Sequence, residues 1–442
     1  MIYLFGENLL INEHEMIAKA QKFLITSMVN KIEPVVVSEA KGAVIKDVAG
    51  KEYIDCFAGI SVVNAGHCQR EVVEAAINQA KKLIHACTYL YYVPPTIELA
   101  ERIAAIVPSG LQKTFFGNSG AEAVECGLKL ARKFTKKPEF IALMGSFHGR
   151  SFGTLSITGQ SGRRKYDMGP YLSGVSFAYP PYCYRCSFKQ EYPGCDLLCA
   201  RSVQDVLDFS TGKGVAAFIA EPVMGEGGII PPPPEYFKLV KETLDQNGIL
   251  FIDDEVQTGF GRTGKLFGIE HYGVKPDIMA MAKGIADGFP ISACTARADI
   301  GSSFEPGDHL STFGGNPVSA AAALANIEFI MKNRLPEKAA EKGVYMIKRL
   351  REMQEEYPIM GDVRGKGLMI GVELVKDQKK TPAKEETGRI RDAAREEGLL
   401  IGSGGVKGCV LRIQPPLVIE KDQMDKALSI LEVAIKGVKC SK

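Results

Sequence analysis

The sequence lacks the features that mark a nucleic-acid-binding or membrane protein. Its 54 lysine and arginine residues nearly balance its 52 aspartate and glutamate residues, which leaves a net charge of +2. That balance provides no electrostatic surface for nucleic acid or for an anionic membrane. No apolar run reaches the roughly 18 uninterrupted residues of a membrane-spanning helix. We therefore expect neither kind of partner.

The sequence also lacks a secretory signal and an even spread of cysteines. The N-terminal MIYLFGENLLINEHE has no basic start, and Glu7 and Asn8 interrupt its apolar run. Most of the 11 cysteines lie far apart, as is typical of reduced thiols in a cytoplasmic protein. These isolated cysteines are Cys56, Cys68, Cys87, Cys126, Cys294, Cys409 and Cys440. We predict a cytoplasmic location.

Four cysteines are instead concentrated in one segment, YCYRCSFKQEYPGCDLLCA. They form two close pairs, Cys183 with Cys186 and Cys195 with Cys199. Two such pairs can hold a tetrahedral zinc ion, although the gap between them is shorter than in common zinc ribbons. Disulfides and free thiols are the alternatives. The segment predicts no catalytic role under any of the three.

Length and periodicity predict an α/β protein of two domains. A chain of 442 residues is too long for one simple core, and 45% apolar with 24% charged residues is typical of a well-packed soluble enzyme. After Gly110, strand and helix patterns alternate, which predicts a mainly parallel sheet covered by helices. We assign 61–329 to this large domain. The small domain combines residues 1–60 with residues 330–442.

Further elements are predicted at both ends of the chain. Residues 13–30 have helical periodicity, and alternation after them predicts a small antiparallel sheet. A long helical stretch is expected over 317–357, and two more helices over 384–397 and 421–436. The segments GDVRGKGLMIGVELV and CVLRIQPPLVI are predicted strands.

The stretch 249–284 carries the strongest chemical pattern. A buried strand rich in β-branched residues ends in the acidic residues 253–255, and carboxylates at such a strand end face a ligand crevice. Lys283 follows a second short apolar run and precedes a glycine. A desolvated amine is a better nucleophile toward a carbonyl. An acid and an amine at two strand ends indicate a pyridoxal site, although Asp254 alone could equally be a loop acid.

Two other strand ends provide candidate binding groups. In the sequence NSGA, Gly120 and Ala121 begin a helix whose backbone N–H groups could receive a phosphate, unless this is an ordinary turn. In FHGR, Phe147 offers a flat partner for an aromatic ring and Arg150 a partner for an anion. A core phenylalanine beside a surface arginine is the alternative.

A set of motifs in one order extends along nearly the whole chain. It comprises EYIDCFAGISVVNAGH, FFGNSGAEAVE, FHGR, AEPVMGEGG, IDDEVQTGFGRTGKLFGIEHYGVKPDIMAMAKG, STFGGNPVSAAAALA and VLRIQPPLVI. In these motifs the chain resembles the class III aminotransferases, pyridoxal phosphate enzymes of fold type I that include 4-aminobutyrate and ornithine aminotransferases. The resemblance implies a large domain with a mainly parallel sheet between helices and a smaller α+β domain from both chain ends.

The resemblance also implies roles at the cofactor. Lys283 would be the Schiff-base lysine and proton shuttle, and Asp254 would pair with the pyridine nitrogen. Gln257 would hydrogen-bond the ring hydroxyl, while Phe147 and Val256 would sandwich the ring. Asp253 stands where the family usually has a small or apolar residue, so the ring acid is ambiguous by one position, and the spacing of DEVQ favours Asp254.

The phosphate site implied by the resemblance extends across a subunit interface. Gly120 and Ala121 would donate backbone N–H groups, and Thr312 would reach the phosphate in the neighbouring subunit. A homodimer, or a dimer of dimers, with shared active sites is therefore expected.

Substrate selection would lie with four further residues. By resemblance, Arg412 binds an α-carboxylate, Glu226 neutralises Arg412 when the amine donor has none, and Arg150 grips a distal carboxylate. Ile60 matches 4-aminobutyrate-type members, whereas ornithine-type members carry tyrosine there.

These residues favour transfer of an amino group from 4-aminobutyrate, or a similar ω-amino acid, to 2-oxoglutarate, which gives succinate semialdehyde and glutamate. The alternatives are a racemase or epimerase on the same scaffold, or an aminotransferase for ornithine, acetylornithine or alanine and glyoxylate. A binding scaffold without activity is disfavoured because Lys283, Asp254 and Gln257 are intact.

Overall fold

A computed structural model describes residues 12–25, 32–160 and 165–438. Residues 1–11 of the N-terminal stretch considered above as a signal, and Cys440, lie outside these ranges. The helix predicted over 13–30 ends at Phe23, because Leu24 has an extended backbone; residues 26–30 lie outside the described ranges. The described residues include no helix that is both long and apolar enough to cross a membrane.

The described residues form two sheets of seven strands each. In chain order the strands are β1 Val37–Lys41, β2 Val44–Asp47, β3 Glu52–Cys56, β4 Leu111–Gly117, β5 Glu139–Leu143, β6 Val175–Ala178, β7 Val215–Ala220, β8 Leu250–Asp254, β9 Ile278–Met281, β10 Ser292–Arg297, β11 Met360–Lys366, β12 Met369–Leu374, β13 Leu399–Gly404 and β14 Val410–Ile413.

Helices surround both sheets. They are α1 Glu13–Phe23, α2 Ala58–Ser61, α3 Arg70–Ala80, α4 Pro94–Ile106, α5 Gly120–Thr135, α6 Phe152–Ile157, α7 Leu198–Phe209, α8 Tyr236–Gln246, α9 Ala298–Gly301, α10 Pro317–Lys332, α11 Leu335–Glu356, α12 Lys384–Glu396 and α13 Lys421–Lys436. Short 3-10 turns lie at Cys183–Arg185, Gly268–Tyr272 and Lys283–Ile285. The short element α2 is unusual because its residues have positive φ.

The first sheet has the strand order β4-β10-β9-β8-β7-β5-β6. Strands β5 to β9 pair in parallel, and β10 runs antiparallel to both β4 and β9. Every residue of β7, β8 and β9 is buried, as expected for parallel strands with helices on both faces. The carboxyl ends of these strands meet at one edge, which positions the site described below.

The second sheet draws on both ends of the chain. Its order is β1-β2-β3-β13-β14-β12-β11, and the parallel pair of β3 with β13 joins the N-terminal strands to the C-terminal ones. The predicted fold class, a mainly parallel sheet between helices plus a smaller α+β unit from both chain ends, is confirmed. The domain limits at 60/61 and 329/330 remain predictions.

Candidate active site

A cavity of about 320 Å³ lies at the carboxyl edge of the parallel strands. Most of the residues predicted to hold a cofactor line it, namely Gly120, Ala121, Phe147, Asp254, Val256, Gln257 and Lys283. Each follows or begins an element that ends at this edge, so the topology brings together residues that are far apart in sequence.

Lys283 follows strand β9 and begins a 3-10 turn. Its φ is +46°, a left-handed conformation that costs free energy and is concentrated at functional sites. Gly284 is required next, because a Cβ there would lie 2.4 Å from Nδ2 of Asn64. Burial lowers the pKa of the Lys283 amine, against the opposing effect of the Glu226 carboxylate. The lysine therefore has more of the neutral, nucleophilic form than an exposed lysine.

Asp254 is held in place by two hydrogen bonds. Its Oδ2 lies 2.7 Å from Nδ1 of His148, and its Oδ1 accepts a hydrogen bond of 3.1 Å from the Val256 backbone N–H. Both side chains are almost fully buried. The sequence did not identify His148 as a functional residue, although it stands beside Phe147 in FHGR. It orients the carboxylate, as an outer hydrogen-bond partner of a catalytic acid does.

Asp253 does not reach the cavity. Successive side chains of a strand point to opposite faces, and Asp253 lies fully buried, with neither carboxylate oxygen hydrogen-bonded to a described residue. Burial, with Glu255 and Asp254 nearby, raises its pKa well above the ordinary value. Asp254, and not Asp253, therefore faces the cavity.

Glu221 is a second residue at the cavity that the sequence did not identify. It follows strand β7, and its carboxylate accepts hydrogen bonds from the backbone N–H groups of Phe147 (3.0 Å) and Gly225 (2.8 Å). Burial raises the pKa of Glu221 to about 7. Its only sequence signal was its position as the second residue of the motif AEPVMGEGG. Glu221 ties the Phe147 loop to the loop that carries Glu226.

The first turn of α5 borders the cavity and offers a place for an anion. Ser119 caps the helix, and its side chain accepts a hydrogen bond from the Glu122 N–H. The first backbone N–H groups of a helix have no intrahelical acceptor. A Cβ on Gly120 would lie 2.8 Å from Cγ1 of Val256. Glycine is therefore needed where this helix approaches the cavity wall.

The residues predicted to select the substrate are not among those that line this cavity. Arg412, on β14, is buried and donates from NH1 to Oε1 of Glu226 at 2.5 Å. Its Nε and NH2 have no hydrogen-bond partner among the described residues. The guanidinium of Arg150 is exposed and lies 5.6 Å from the centre of the Phe147 ring. Ile60 and Thr312 are both exposed.

The cavity residues fit pyridoxal phosphate. Gln257 is buried and its Nε2 has no hydrogen-bond partner within the described residues, so an amide donor is available at the wall. Lys283 provides an amine, and Gly120 leaves the space that a Cβ would fill. Such a donor set, with apolar walls from Phe147 and Val256, suits a flat, anionic, carbonyl-bearing ligand.

The zinc prediction for the cysteine-rich segment is not supported. Among residues 12–25, 32–160 and 165–438, no group of three or more His, Cys, Asp or Glu side chains could hold a metal ion. Cys183, Cys186, Cys195 and Cys199 are free and surround a cavity of about 20 Å³. Burial raises the pKa of Cys183, and that of Cys199 to about 12. Without a bound metal ion, both thiols are therefore more fully protonated than an exposed cysteine at the same pH.

The chain is similar to several aminotransferases and to one racemase. The chain is 46% identical over 402 residues to the acetylornithine aminotransferase of Methanosarcina mazei, covering 91% of this chain and 92% of that one. It is 44% identical over 408 residues to the leucine/methionine racemase of Thermococcus litoralis, with 92% and 91% covered. It is 40% identical over 407 residues to the 5-aminovalerate aminotransferase DavT of Pseudomonas putida, with 91% and 94% covered.

Solved structures agree with the sequence comparison. An amine transaminase from an uncultivated Pseudomonas species, in its PLP-bound form, matches with a TM-score of 0.89 and 32% identity. The match covers 94% of this chain and 98% of that chain. The family described as "Aminotransferase class-III" matches residues 26–435. The chain therefore belongs to the class III aminotransferases, enzymes of fold type I that depend on pyridoxal phosphate.

Proposed function

We propose that the enzyme transfers the amino group of an ω-amino acid, with 4-aminobutyrate as the specific donor, to 2-oxoglutarate. The ion pair between Glu226 and Arg412 carries this proposal. A donor without an α-carboxylate leaves Arg412 without a substrate partner, and a buried unpaired charge is costly. At 2.5 Å, Glu226 already neutralises that charge.

The two half-reactions need opposite states of this pair. While 4-aminobutyrate reacts, Glu226 stays on Arg412. When 2-oxoglutarate enters, Glu226 leaves and Arg412 binds the carboxylate beside the keto group, in the bidentate geometry that a guanidinium favours. Arg150 binds the distal carboxylate of either substrate. One pocket thus accepts two differently charged molecules.

The remaining residues handle protons and charge. Pyridoxal phosphate, when bound, withdraws electrons from the carbon that bears the amino group. The Lys283 amine, whose pKa burial lowers, removes the proton from that carbon and carries it for later return. Asp254, oriented by His148, would supply a negative charge to the ring nitrogen of the bound cofactor. Gln257 donates to the ring hydroxyl, and Phe147 and Val256 hold the two ring faces.

A second copy of the chain would complete the phosphate site. Thr312 lies in the turn 311–316, which contacts the segment 84–92: Thr88 Oγ1 donates to the Gly314 carbonyl at 2.9 Å, and Asn316 Nδ2 to the Ile84 carbonyl at 3.0 Å. These two segments expose large apolar side chains, among them Ile84, Leu90, Tyr92 and Phe313. Such a patch favours association with another protein surface, and we propose a homodimer in which Thr312 reaches the neighbouring site.

Two of these relatives support the choice of an ω-amine donor, and the third favours a different reaction. 5-Aminovalerate, in the name of one relative, is an ω-amino acid, and acetylornithine is named in another. The 44% identity to a leucine/methionine racemase favours a racemase as the second candidate. The free state of the described cysteines supports a cytoplasmic location.

A substrate panel separates the two candidates. Purified enzyme loaded with pyridoxal phosphate is mixed with 4-aminobutyrate, 5-aminovalerate, acetylornithine, ornithine, alanine, leucine and methionine, with and without 2-oxoglutarate. We expect glutamate to form, in the presence of 2-oxoglutarate, fastest with 4-aminobutyrate. Loss of optical purity and exchange of the α-hydrogen of leucine or methionine, without an oxo acid and without glutamate formation in the other arms, would replace the transaminase with the racemase.

A further inference from the structure

The loop that carries Glu226 contains a strained residue. Ile229 is fully buried and has a φ of +52°, a conformation that is an outlier for a β-branched side chain. The loop closes through hydrogen bonds between Met224 and Ile230 and from the Gly228 and Ile229 N–H groups to the Gly225 carbonyl. Residues in such conformations persist only where the surroundings hold them.

Arg364, on strand β11, holds this turn from outside. Its NH2 donates to the Gly228 carbonyl at 2.7 Å, and its Nε donates to the Ile229 carbonyl at 2.8 Å. A planar guanidinium with several donors can bind two adjacent carbonyls at once, which a lysine ammonium cannot do with the same geometry. The strained turn is therefore fixed by two charge-assisted hydrogen bonds.

A buried charge cluster fixes Arg364 in turn. Its NH1 lies 2.6 Å from Oδ2 of Asp362, and its NH2 lies 2.9 Å from Oε2 of the fully buried Glu373. Tyr182 and Arg185, from the cysteine-rich segment, also hydrogen-bond Glu373. The charges of two arginines thus offset those of two carboxylates. The cysteine-rich segment contributes one of these arginines, Arg185, and the hydroxyl of Tyr182.

We propose that Arg364 is a positioning residue for substrate selection: by clamping the strained turn at Gly228 and Ile229, it keeps Glu226 beside Arg412. This inference rests on the ion-pair switch of the proposed function. The Glu226 carbonyl also accepts a hydrogen bond of 3.2 Å from the Gly405 N–H. Without the clamp, Ile229 relaxes toward negative φ and Glu226 moves away from Arg412. Arg412 then attracts substrates that carry an α-carboxylate.

The test compares Arg364→Gln with Arg185→Gln in the full-length enzyme loaded with pyridoxal phosphate. Both changes remove one cation from Glu373, but Arg364 also donates to the loop carbonyls, whereas Arg185 donates from Nε to Glu373. Hydrogen–deuterium exchange of residues 224–230 reports the clamp directly. Stopped-flow absorbance gives kcat/KM for 4-aminobutyrate, which has no α-carboxylate, and for glutamate, which has one. Arg364→Lys replaces Arg364→Gln if the latter does not fold.

We expect faster exchange over 224–230 and roughly a tenfold fall in the ratio of kcat/KM for 4-aminobutyrate to that for glutamate in the Arg364 variant. Arg185→Gln should lower thermal stability but leave both the exchange and the ratio near wild type. Unchanged exchange in the Arg364 variant, or faster exchange with an unchanged ratio, would overturn the proposal.

A third variant, Glu226→Gln, separates this inference from the function on which it rests. It should shift the ratio in the same direction as Arg364→Gln. If it leaves the ratio unchanged, the switch between Glu226 and Arg412 is wrong, and the exchange data alone then decide whether Arg364 clamps the loop.

Discussion

At the residue scale, Lys283 combines backbone strain with a lowered pKa. Its φ is +46° and it lines the same cavity as Asp254, while burial lowers the pKa of its amine. Lys283→Ala should abolish the visible absorbance of the lysine-bound cofactor and lower kcat by more than about a hundredfold, because general base catalysis is lost. The measurement is a spectrum of the reconstituted protein, followed by single-turnover kinetics.

The control for this change is Lys275→Ala, since Lys275 is an exposed lysine in the loop before β9. It should retain both the spectrum and the rate. A lysine-dependent absorbance band that survives in Lys283→Ala would contradict the assignment.

Replacement by asparagine should have different effects on kcat at the neighbouring residues Asp253 and Asp254. Asp254→Asn should lower kcat by roughly a hundredfold, because the charge opposite the ring nitrogen is lost. Asp253→Asn should leave kcat near wild type, since Asp253 points away from the cavity. Steady-state kinetics of the two variants measures this difference. Comparable losses in both would mean that the face assignment is wrong.

The pH dependence of stability follows from the same buried Asp253. Burial raises its folded pKa above the ordinary 3.8, so its contribution to stability is present below pH 3.8 and is lost as the pH rises through the folded pKa. Asp253→Asn removes that ionisable group. We expect the variant to gain about 1–3 kcal/mol over wild type at pH 8 and little at the acidic end of the stable range. Urea unfolding at several pH values measures the gain, and a pH-independent difference would contradict it.

Several site residues could be predicted from the sequence, and others could not. Lys283 and Asp254 each end a recognisable apolar run, so each carries a local signal. His148 and Glu221 act through residues far away in sequence: His148 contacts Asp254, and Glu221 contacts the Phe147 backbone. Those pairings exist only once three parallel strands lie side by side.

At the scale of elements, the start of α5 depends on the space beside Val256. Gly120→Ala would place a Cβ 2.8 Å from Cγ1 of Val256, and a β-branched side chain has little rotational freedom to move away. Val256 is the proposed partner for one ring face, so its displacement should weaken pyridoxal phosphate binding by about tenfold. Equilibrium titration of the apoenzyme measures this.

Two further variants test the cause. Gly127→Ala, in the same helix, meets only ordinary contacts, the nearest at 3.4 Å, and should bind the cofactor normally. Adding Val256→Ala to Gly120→Ala frees the space for the new Cβ. The double variant should therefore lose less binding free energy than the sum of the losses in the two single variants. Strictly additive losses would show that the clash is not the cause.

Prediction of the elements succeeded where a segment is buried on both faces or has one clear helical stripe. Strands β5, β7, β8 and β9 and helices α12 and α13 match their sequence patterns. The single stretch predicted over 317–357 is two helices, since Arg334 adopts a left-handed conformation between them. Strands β6, β10 and β13 were missed because their pairing partners, and not their own periodicity, define them.

At the scale of the whole molecule, a shared active site predicts complementation between defective subunits. Thr312→Ala should weaken cofactor binding by about tenfold, because it removes the hydroxyl that we propose reaches the neighbouring phosphate. In a mixed dimer of Thr312→Ala with Lys283→Ala subunits, one site receives both defects and the other receives neither. Mixed dimers should therefore regain a tight, active site that both parent dimers lack.

The subunits are tagged differently, unfolded and refolded together, and the doubly tagged species is isolated before cofactor titration. A dimer of Arg349→Gln subunits, which changes an exposed ion pair on α11, serves as the control for refolding. Mixed dimers that behave as the average of their parents would contradict a site shared through Thr312.

The parallel pairing of β3 with β13 imposes an order on the protein as it leaves the ribosome. Ile54 is made long before its strand partner Leu399. Until then β3 has an open edge, and unpaired edges can bind other chains. The second sheet therefore cannot be completed until β13 has been made, and until then the nascent strand β3 depends on β1 and β2, or on a chaperone, to cover it.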